Sequence, residues 1–252
     1  MIGARTGIVV SSVAAIVCST SAFAEKTTAE YANGTTRPRS IALMPVDATV
    51  TRAKVVESEG LVDDGLVYGE LFNSQVRERM TAKGYKVVVV DADRINTDPK
   101  LQELVVEATR GFKDMMGKYK PKKLEARQLN AGDSARLLAD YLGVDALAFS
   151  TLSMTITKAG KAIFAGFTGG STQGTSSNLE IVNGKTGDLE AFFFGVALVG
   201  PGDKTDEEMA AYVHTCAERT MNRMPGSDPS SRIEVATSDD DVLDEAEKTL
   251  KR

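Results

Sequence analysis

The chain has 252 residues, with 30 basic and 35 acidic side chains, one histidine and two cysteines, and a formal net charge of −5. That acidic balance keeps a protein soluble and argues against nucleic-acid binding. Beyond the first 24 residues no segment is apolar over the ~20 residues that a membrane-spanning helix requires.

Residues 1–24 read as a secretory signal peptide. Arg5 is their only charge, Ile8–Val17 is apolar apart from Ser11 and Ser12, and Ser21-Ala22-Phe23-Ala24 puts small residues at both specificity positions of a signal peptidase. The expectation is cleavage after Ala24, a mature chain starting at Glu25, and a periplasmic location. Cys18 keeps lipidation open, and with it an outer-membrane anchor, although Val17 before it departs from the small residue usual there. Losing Arg5 with this segment leaves 228 residues with 29 basic and 35 acidic side chains, a net charge of −6. Cys216 is the one cysteine of the mature chain, so no intramolecular disulfide forms.

Glu25–Pro38 is polar and reads as a linker. Ser40–Val46 is a short apolar run, predicted as a buried strand, and Asp47–Glu59 as a loop. A helix is expected over Leu61–Lys83, with Val62, Leu66, Phe72, Val76 and Met80 near one face and Gly84 ending it. Gly65 and Gly69 within it predict a close approach to the sheet or another helix. Tyr85–Val90 is a second β-rich run. Asp98 then caps a helix with Pro99 at its first position; Leu101, Leu104, Val105, Ala108, Phe112, Met115 and Tyr119 follow at helical spacing, and Pro121 ends it. Asp133–Leu142 is a third helix, stopped by Gly143.

From Ala146 to Thr157 the period changes to two: Leu152, Met154 and Ile156 alternate with Ser153, Thr155 and Thr157. Lys158–Gly174 is glycine-rich and reads as a loop. Asn178–Val182 and Leu189–Val199 form a hairpin around the turn Asn183–Asp188. Thr205 and Glu208 make a capping box for a last helix carrying Met209, Val213, Cys216, Thr220 and Met224 on one face, and Pro225-Gly226 stops it. The order β-α-β-α-α-β-β-β-α predicts an α/β fold: a mixed sheet with helices packed on it. The division is signal peptide 1–24, linker 25–38, a single mixed domain 39–225 and an acidic flexible tail 226–252.

Candidate chemistry is sparse, and no catalytic, cofactor or metal motif emerges. Gly184-Lys185-Thr186 resembles the end of a phosphate loop, but position 179 is leucine and a strand follows, so a hairpin turn is expected. Gly169–Gly174 has the glycine spacing of that loop, with Thr175 where its lysine belongs. His214 and Cys216 point about 200° apart on a helix, which suits a boundary histidine and a buried thiol better than a metal pair. Asp91 and Asp93 follow a strand, where a turn is their commoner use. Two surfaces stand out. Arg110, Lys113, Lys118, Lys120, Lys122, Lys123 and Arg127 form a basic stretch suited to anionic lipid or cell-wall polymer, though cations also simply suit helix C-termini. Ile163, Phe164 and Phe167 in the glycine-rich segment form a candidate interface loop.

The runs SIALMPVD, GYKVVVVD, LADYLGVDALAFSTLSMTI and NLEIVNGKTGDLEAFFF, with the helices between and after them, resemble a group of bacterial envelope proteins. The group shares the fold of the TolB amino-terminal domain and includes the curli secretion lipoprotein and the penicillin-binding-protein activator lipoprotein. The similarity spans about residues 39–225. It implies a non-enzymatic role, without cofactors, in assembling or exporting envelope components through contacts with envelope or outer-membrane proteins. Two alternatives stay open: a homo-oligomeric outer-membrane export channel, for which Lys158–Ser177 is short, and a hydrolase whose site the sequence does not display.

Overall fold

In the computed structural model, which describes residues 25–53, 58–157, 174–198 and 205–230, the run of period two at Ala146–Thr157 is a 12-residue strand at the centre of the sheet. The elements in chain order are β1 (Glu25–Thr27), α1 (Ala29–Ala32), β2 (Ser40–Leu43), β3 (Asp47–Ala53), β4 (Ser58–Gly60), α2 (Val62–Ala82), β5 (Lys86–Val89), α3 (Ala92–Thr97), α4 (Pro99–Met116), α5 (Pro121–Glu125), α6 (Asp133–Leu142), β6 (Ala146–Thr157), β7 (Gly174–Asn183), β8 (Leu189–Leu198) and α7 (Asp206–Asn222). The sheet runs β1-β8-β7-β6-β2-β5, with β3 also along β6 and β4 outside β3. The crossovers make β5, β2 and β6 parallel. The hairpin adds β7 and β8 antiparallel. The expected mixed α/β sheet is therefore observed.

Alternation along the strands divides the core in two. Ile41, Leu43, Ala148, Leu152, Ile181 and Phe193 pack under α2 and α7 against Phe72, Val76, Met209 and Val213. Ala42, Met44, Leu147, Phe149 and Val182 face the opposite way, under α4 and α6, against Leu101, Leu104, Phe112 and Leu138. Local signals set the helix ends. Asp98 accepts from the N–H groups of Lys100 and Leu101, Thr205 and Glu208 complete the capping box, and Gly143 takes the left-handed conformation after α6 (φ 65°).

One irregularity shapes the sheet edge. Both β2 and β3 lie on the same side of β6, end to end. Leu43 pairs with Ala148 and Asp47 with Thr151, so the three residues between them on this edge face two of β6. That extra residue is a bulge, and Pro45, which has no N–H to give a ladder, sits inside it. The edge is split as a result: β5 borders β2 and β4 borders β3.

Several segments depart from the sequence reading. Asp47–Glu59 is not a loop but contains β3 and the start of β4; its alternation is carried by alanine, threonine and valine, too weak a contrast to register. Residues 25–38 are not a linker. Here β1 pairs with β8, Tyr31 is fully buried, and buried Glu190 accepts hydrogen bonds from Thr28 Oγ1 (2.6 Å) and Thr36 Oγ1 (3.1 Å). The helix expected to reach Pro121 ends at Met116, and Pro121 instead opens α5, where its missing N–H costs nothing. The tail begins later than Gly226: Ser227 N–H donates to Lys83 O (2.9 Å) and Arg37 donates to Asp228 O (2.9 Å). Residues 231–252 lie outside the described residues.

Helix α7 sits so close to β8 that a Cβ on Gly195 would run into Thr220 Oγ1 and the Cys216 carbonyl. Gly195→Ala is expected to destabilise the fold by about 1–3 kcal/mol, seen as a lowered midpoint in denaturant titration with unchanged slope. An unaltered midpoint would show that α7 slides freely on the sheet.

Candidate functional site

The split edge leaves a groove of about 630 Å³. Pro45, Val46, Ala48 and Val50 line the β3 side, Val89, Val90, Asp91 and Ala92 the end of β5, and Gly60 to Arg77 the near face of α2. Gly65 and Gly69 let α2 come down on β3: a Cβ on Gly69 would meet Val46 Cγ1 at 2.8 Å, and one on Gly65 would meet Ala48 O at 3.2 Å. The close approach expected of these two glycines is thus made to the sheet. Asn73 Nδ2 donates to Met44 O (3.2 Å) and holds the next turn of the helix to the bulge.

Below that point Phe72, Val76 and Met80 are buried as expected. Above it the expectation fails. Val62 is 76% exposed and Leu66 66%, because the first two turns of α2 overhang the gap and the glycines take the contact instead. Val67, outside the groove on the crest of the helix, is 62% exposed. The upper end of the groove is therefore apolar and continuous with exposed valine and leucine. The lower end carries Glu70, Asn73, Ser74 and Arg77 at helical spacing, with Asp91 opposite.

Carboxylates surround this apolar surface. Asp63 and Asp64 follow Val62, Glu70 and Asp91 line the groove, and Asp93 follows Ala92. Within the described residues none of the five is in an ion pair. Asp91 has a local duty as well, accepting from Arg94 N–H at the start of α3 (2.8 Å). On the other flank of α2, burial first, then Asp206 and Asp64, push the Tyr68 hydroxyl up to about 12.

The other candidates resolve as follows. Gly184-Lys185-Thr186 is a hairpin turn, with Asn183 Oδ1 accepting from the N–H groups of Lys185 and Thr186. His214 is exposed on α7, whereas Cys216 is buried and donates to Thr175 O (3.1 Å); burial pushes its thiol up to about 11. No three His, Cys, Asp or Glu side chains among the described residues are placed to hold a metal ion. No helix among them is long and apolar enough to cross a membrane. Cys18, Ile163, Phe164, Phe167 and Gly169–Gln173 lie outside the described residues.

Three of the seven basic residues have carboxylate partners. Arg110 pairs with Glu107 (2.9 Å), and Lys113 reaches Asp47 (2.8 Å). Arg127 turns inward, at positive φ (52°), to Glu190 (2.8 Å) and Glu30 (3.1 Å). Glu190 is 1% exposed and also accepts from Asn183, so Arg127 is held by the core rather than offered to a partner. Lys118, Lys120, Lys122 and Lys123 have no ion pair within the described residues.

Beside that lysine cluster lies a group that the sequence reading passed over. Glu180, the one acidic residue of β7, is buried with no hydrogen-bond partner for Oε2 within the described residues. Burial pushes its carboxyl up to about 8. Tyr119, stacked on Phe192 at 5.0 Å, is pushed up to about 12 by its own burial and then by Glu180 and Glu125. The available signal was one acidic residue inside the short apolar run Leu179–Val182.

No family model matches the chain, and no curated protein matches it in sequence. Among solved structures, it is similar to a PelC dodecamer from Paraburkholderia phytofirmans, at 8% identity and a TM-score of 0.38, over 78% of this chain and 94% of that one. It is similar to lipoprotein GNA1162 from Neisseria meningitidis at 16% identity and a TM-score of 0.33, over 70% and 91% of the two chains. The LpoB C-terminal domain from Salmonella enterica follows at 12% and 0.29, over 64% and 84%. At such values the function has to be argued from the residues of the chain itself.

Two outcomes follow from the buried groups. Below pH 4.5 Glu180 is protonated in both folded and unfolded chains; between there and about pH 8 only the unfolded chain ionises, so stability falls as pH rises. Glu180→Gln should remove that fall. Its thermal midpoint should match the parent at pH 4.5 and exceed it by on the order of 5 °C at pH 8; parallel pH profiles would show that Glu180 is ionised in the fold. Cys216 should resist a thiol reagent for as long as the chain stays folded and react within seconds in denaturant. Rapid labelling of the native protein would place the thiol at the surface.

Proposed function

We propose that this chain is an exported, non-catalytic accessory protein of the bacterial envelope, and that it works by docking another protein in the groove between α2 and the split sheet edge. The observation that carries the reading is the apolar surface formed by Val62, Leu66 and Val67 with the groove beside them. A fold that buries Phe72, Val76 and Met80 on the same helix leaves these three in water, and contiguous exposed apolar surface of that kind marks contact sites. The polar groups at the lower end support docking over catalysis. Ser74 and His214, the one histidine of the chain, are both exposed, and no hydrogen bond joins them within the described residues, so the pair lacks the contact by which a histidine activates a serine. The export reading rests on residues 1–24, with Cys18 as the alternative anchor point.

The four lysines Lys118, Lys120, Lys122 and Lys123 support a second contact, with anionic lipid or cell-wall polymer. They are spaced around Pro121 on the α4–α5 corner, and none has an ion pair within the described residues. Exposed charges of this sort contribute little to stability, which leaves them available to a partner.

A photoreactive residue in place of Leu66 tests the main reading in cells of the native host. The expected result is one discrete crosslinked product, lost when Val62→Asp is added, while a photoreactive residue at exposed Glu218 gives none. Equal crosslinking from both positions would remove the groove as the contact site. Turnover of a cell-wall or ester substrate, abolished by His214→Ala, would overturn the non-catalytic reading.

A further inference from the structure

We infer that the groove takes a cationic amphipathic helix of the partner protein, its apolar stripe on Val62, Leu66 and the groove floor and its lysines or arginines against the surrounding carboxylates. The inference rests on the docking role proposed above and adds the chemistry of what docks. Three features of the site select this occupant.

The first is extent. A small apolar ligand would fill the groove and leave Val67 in water, since Val67 stands on the crest of α2 outside the lining. An occupant that covers both the groove and the crest is a macromolecular segment.

The second is the state of the strand edge. An extended segment gains its affinity from free ladder groups on a sheet edge. Here the outer edge of β3 is occupied. Thr51, Arg52 and Ala53 pair with β4, Val50 O accepts from Leu61 N–H at 2.8 Å, and Gly65 presses against Ala48 O. On the β3 and α2 side of the groove, what remains open is side-chain surface along a helix, with Val62 and Leu66 four residues apart. A helix laid beside α2 matches that surface through its own residues at spacings of three and four.

The third is charge. Asp63, Asp64, Glu70, Asp91 and Asp93 border the apolar surface, against Arg77 and Arg94. Asp63 and Asp64 also suit the first turn of α2, and Asp91 caps α3. Asp93 likewise suits the first turn of α3, whereas Glu70, in the body of α2, has no such duty, and none of the five is neutralised by an ion pair within the described residues. Carboxylates bordering an apolar strip disfavour an acidic partner and steer a basic one.

The experiment uses the purified chain, isotopically labelled, and three synthetic peptides of roughly 18 residues, about five helical turns. One has a leucine stripe flanked by lysines, one has glutamates in place of the lysines, and one has the leucines and lysines reordered so that no apolar face forms. The first should shift the amide resonances of Gly65, Leu66, Val67 and Glu70. It should bind roughly tenfold or more tightly than either other peptide, and its affinity should fall steeply as salt screens the carboxylates. Asp63→Lys with Glu70→Lys, both on exposed positions, should reverse the preference between lysine and glutamate peptides without unfolding the chain. Equal binding of the lysine and glutamate peptides would overturn the partner's charge but leave groove docking in place. Equal binding of the reordered peptide would overturn its helical form. If no peptide moves these resonances and sedimentation shows a dimer that Leu66→Asp dissociates, the occupant is a second copy and the inference is wrong. No shift, no dimer and no crosslink from position 66 would remove the docking reading together with it.

Discussion

Strand β6 is shared end to end by β2 and β3, and the two cannot follow it in one register. Within the first stretch Ile41 to Leu43 match Ala146 to Ala148 residue for residue; one residue then has to be absorbed before Asp47 meets Thr151. The bulge that absorbs it holds a proline, so no strand can add a ladder there. A continuous β2–β3 strand would have let β5 and β4 form a continuous neighbour. The interrupted one leaves β5 ending beside β2 and β4 starting beside β3, and α2 passes over the gap. The open crevice at the carboxyl ends of parallel strands, a common ligand position in α/β sheets, is here partly filled by the chain itself, because β3 continues along β6. What is left is an elongated apolar groove at the rim.

Two glutamates on the hairpin strands show how much surroundings decide. Glu190 is buried with Thr28, Thr36, Asn183 and Arg127 all donating to it, and those partners tie the N-terminal segment and the turn after α5 to β8. Glu180, one strand over and just as buried, has no such set, and its carboxyl is driven towards the neutral form. A buried carboxylate with donors organises the chain around it; one without them favours its protonated form. In the sequence each is a single acidic position beside apolar strand residues.

What the sequence displayed well was whatever local chemistry decides. The Asp98-Pro99 start, the Thr205–Glu208 box, the Gly143 stop and the turn around Asn183 each stand where the residues demand, and the period of two at Ala146–Thr157 located a strand, which the fold puts in the middle of the sheet. The misses have a common cause, which is dependence on distant partners. Thr28 and Arg37 look like linker residues until Glu190 and the carbonyl of Asp228 are brought to them. Threonine and alanine in β3 carry too little contrast to announce a strand that exists because β6 is there to pair with. Val62 and Leu66 obey the helical period of a buried face, and only the missing strand beneath them leaves them in water. The groove is thus an absence in the tertiary arrangement, which a linear pattern does not encode. The ion pairs of Arg127 were hidden for the same reason, since the carboxylates that hold it lie far away in the chain.

The order of strands also gives the molecule a front and a back. Strand β1 forms one border of the sheet, and Lys26 there meets Glu125 of α5 (3.4 Å), which brings the lysine-bearing corner to that border. The groove lies at the other border, beyond β3, four strand spacings or on the order of 20 Å away. Any tether attached ahead of Glu25 therefore reaches the domain on its cationic side. A domain held in that way, with its lysines turned to an anionic surface, would carry the groove pointing outward from that surface, as a reader's open hand does from a fixed wrist. The separation of the groove from the lysine-bearing corner is set by the sheet order.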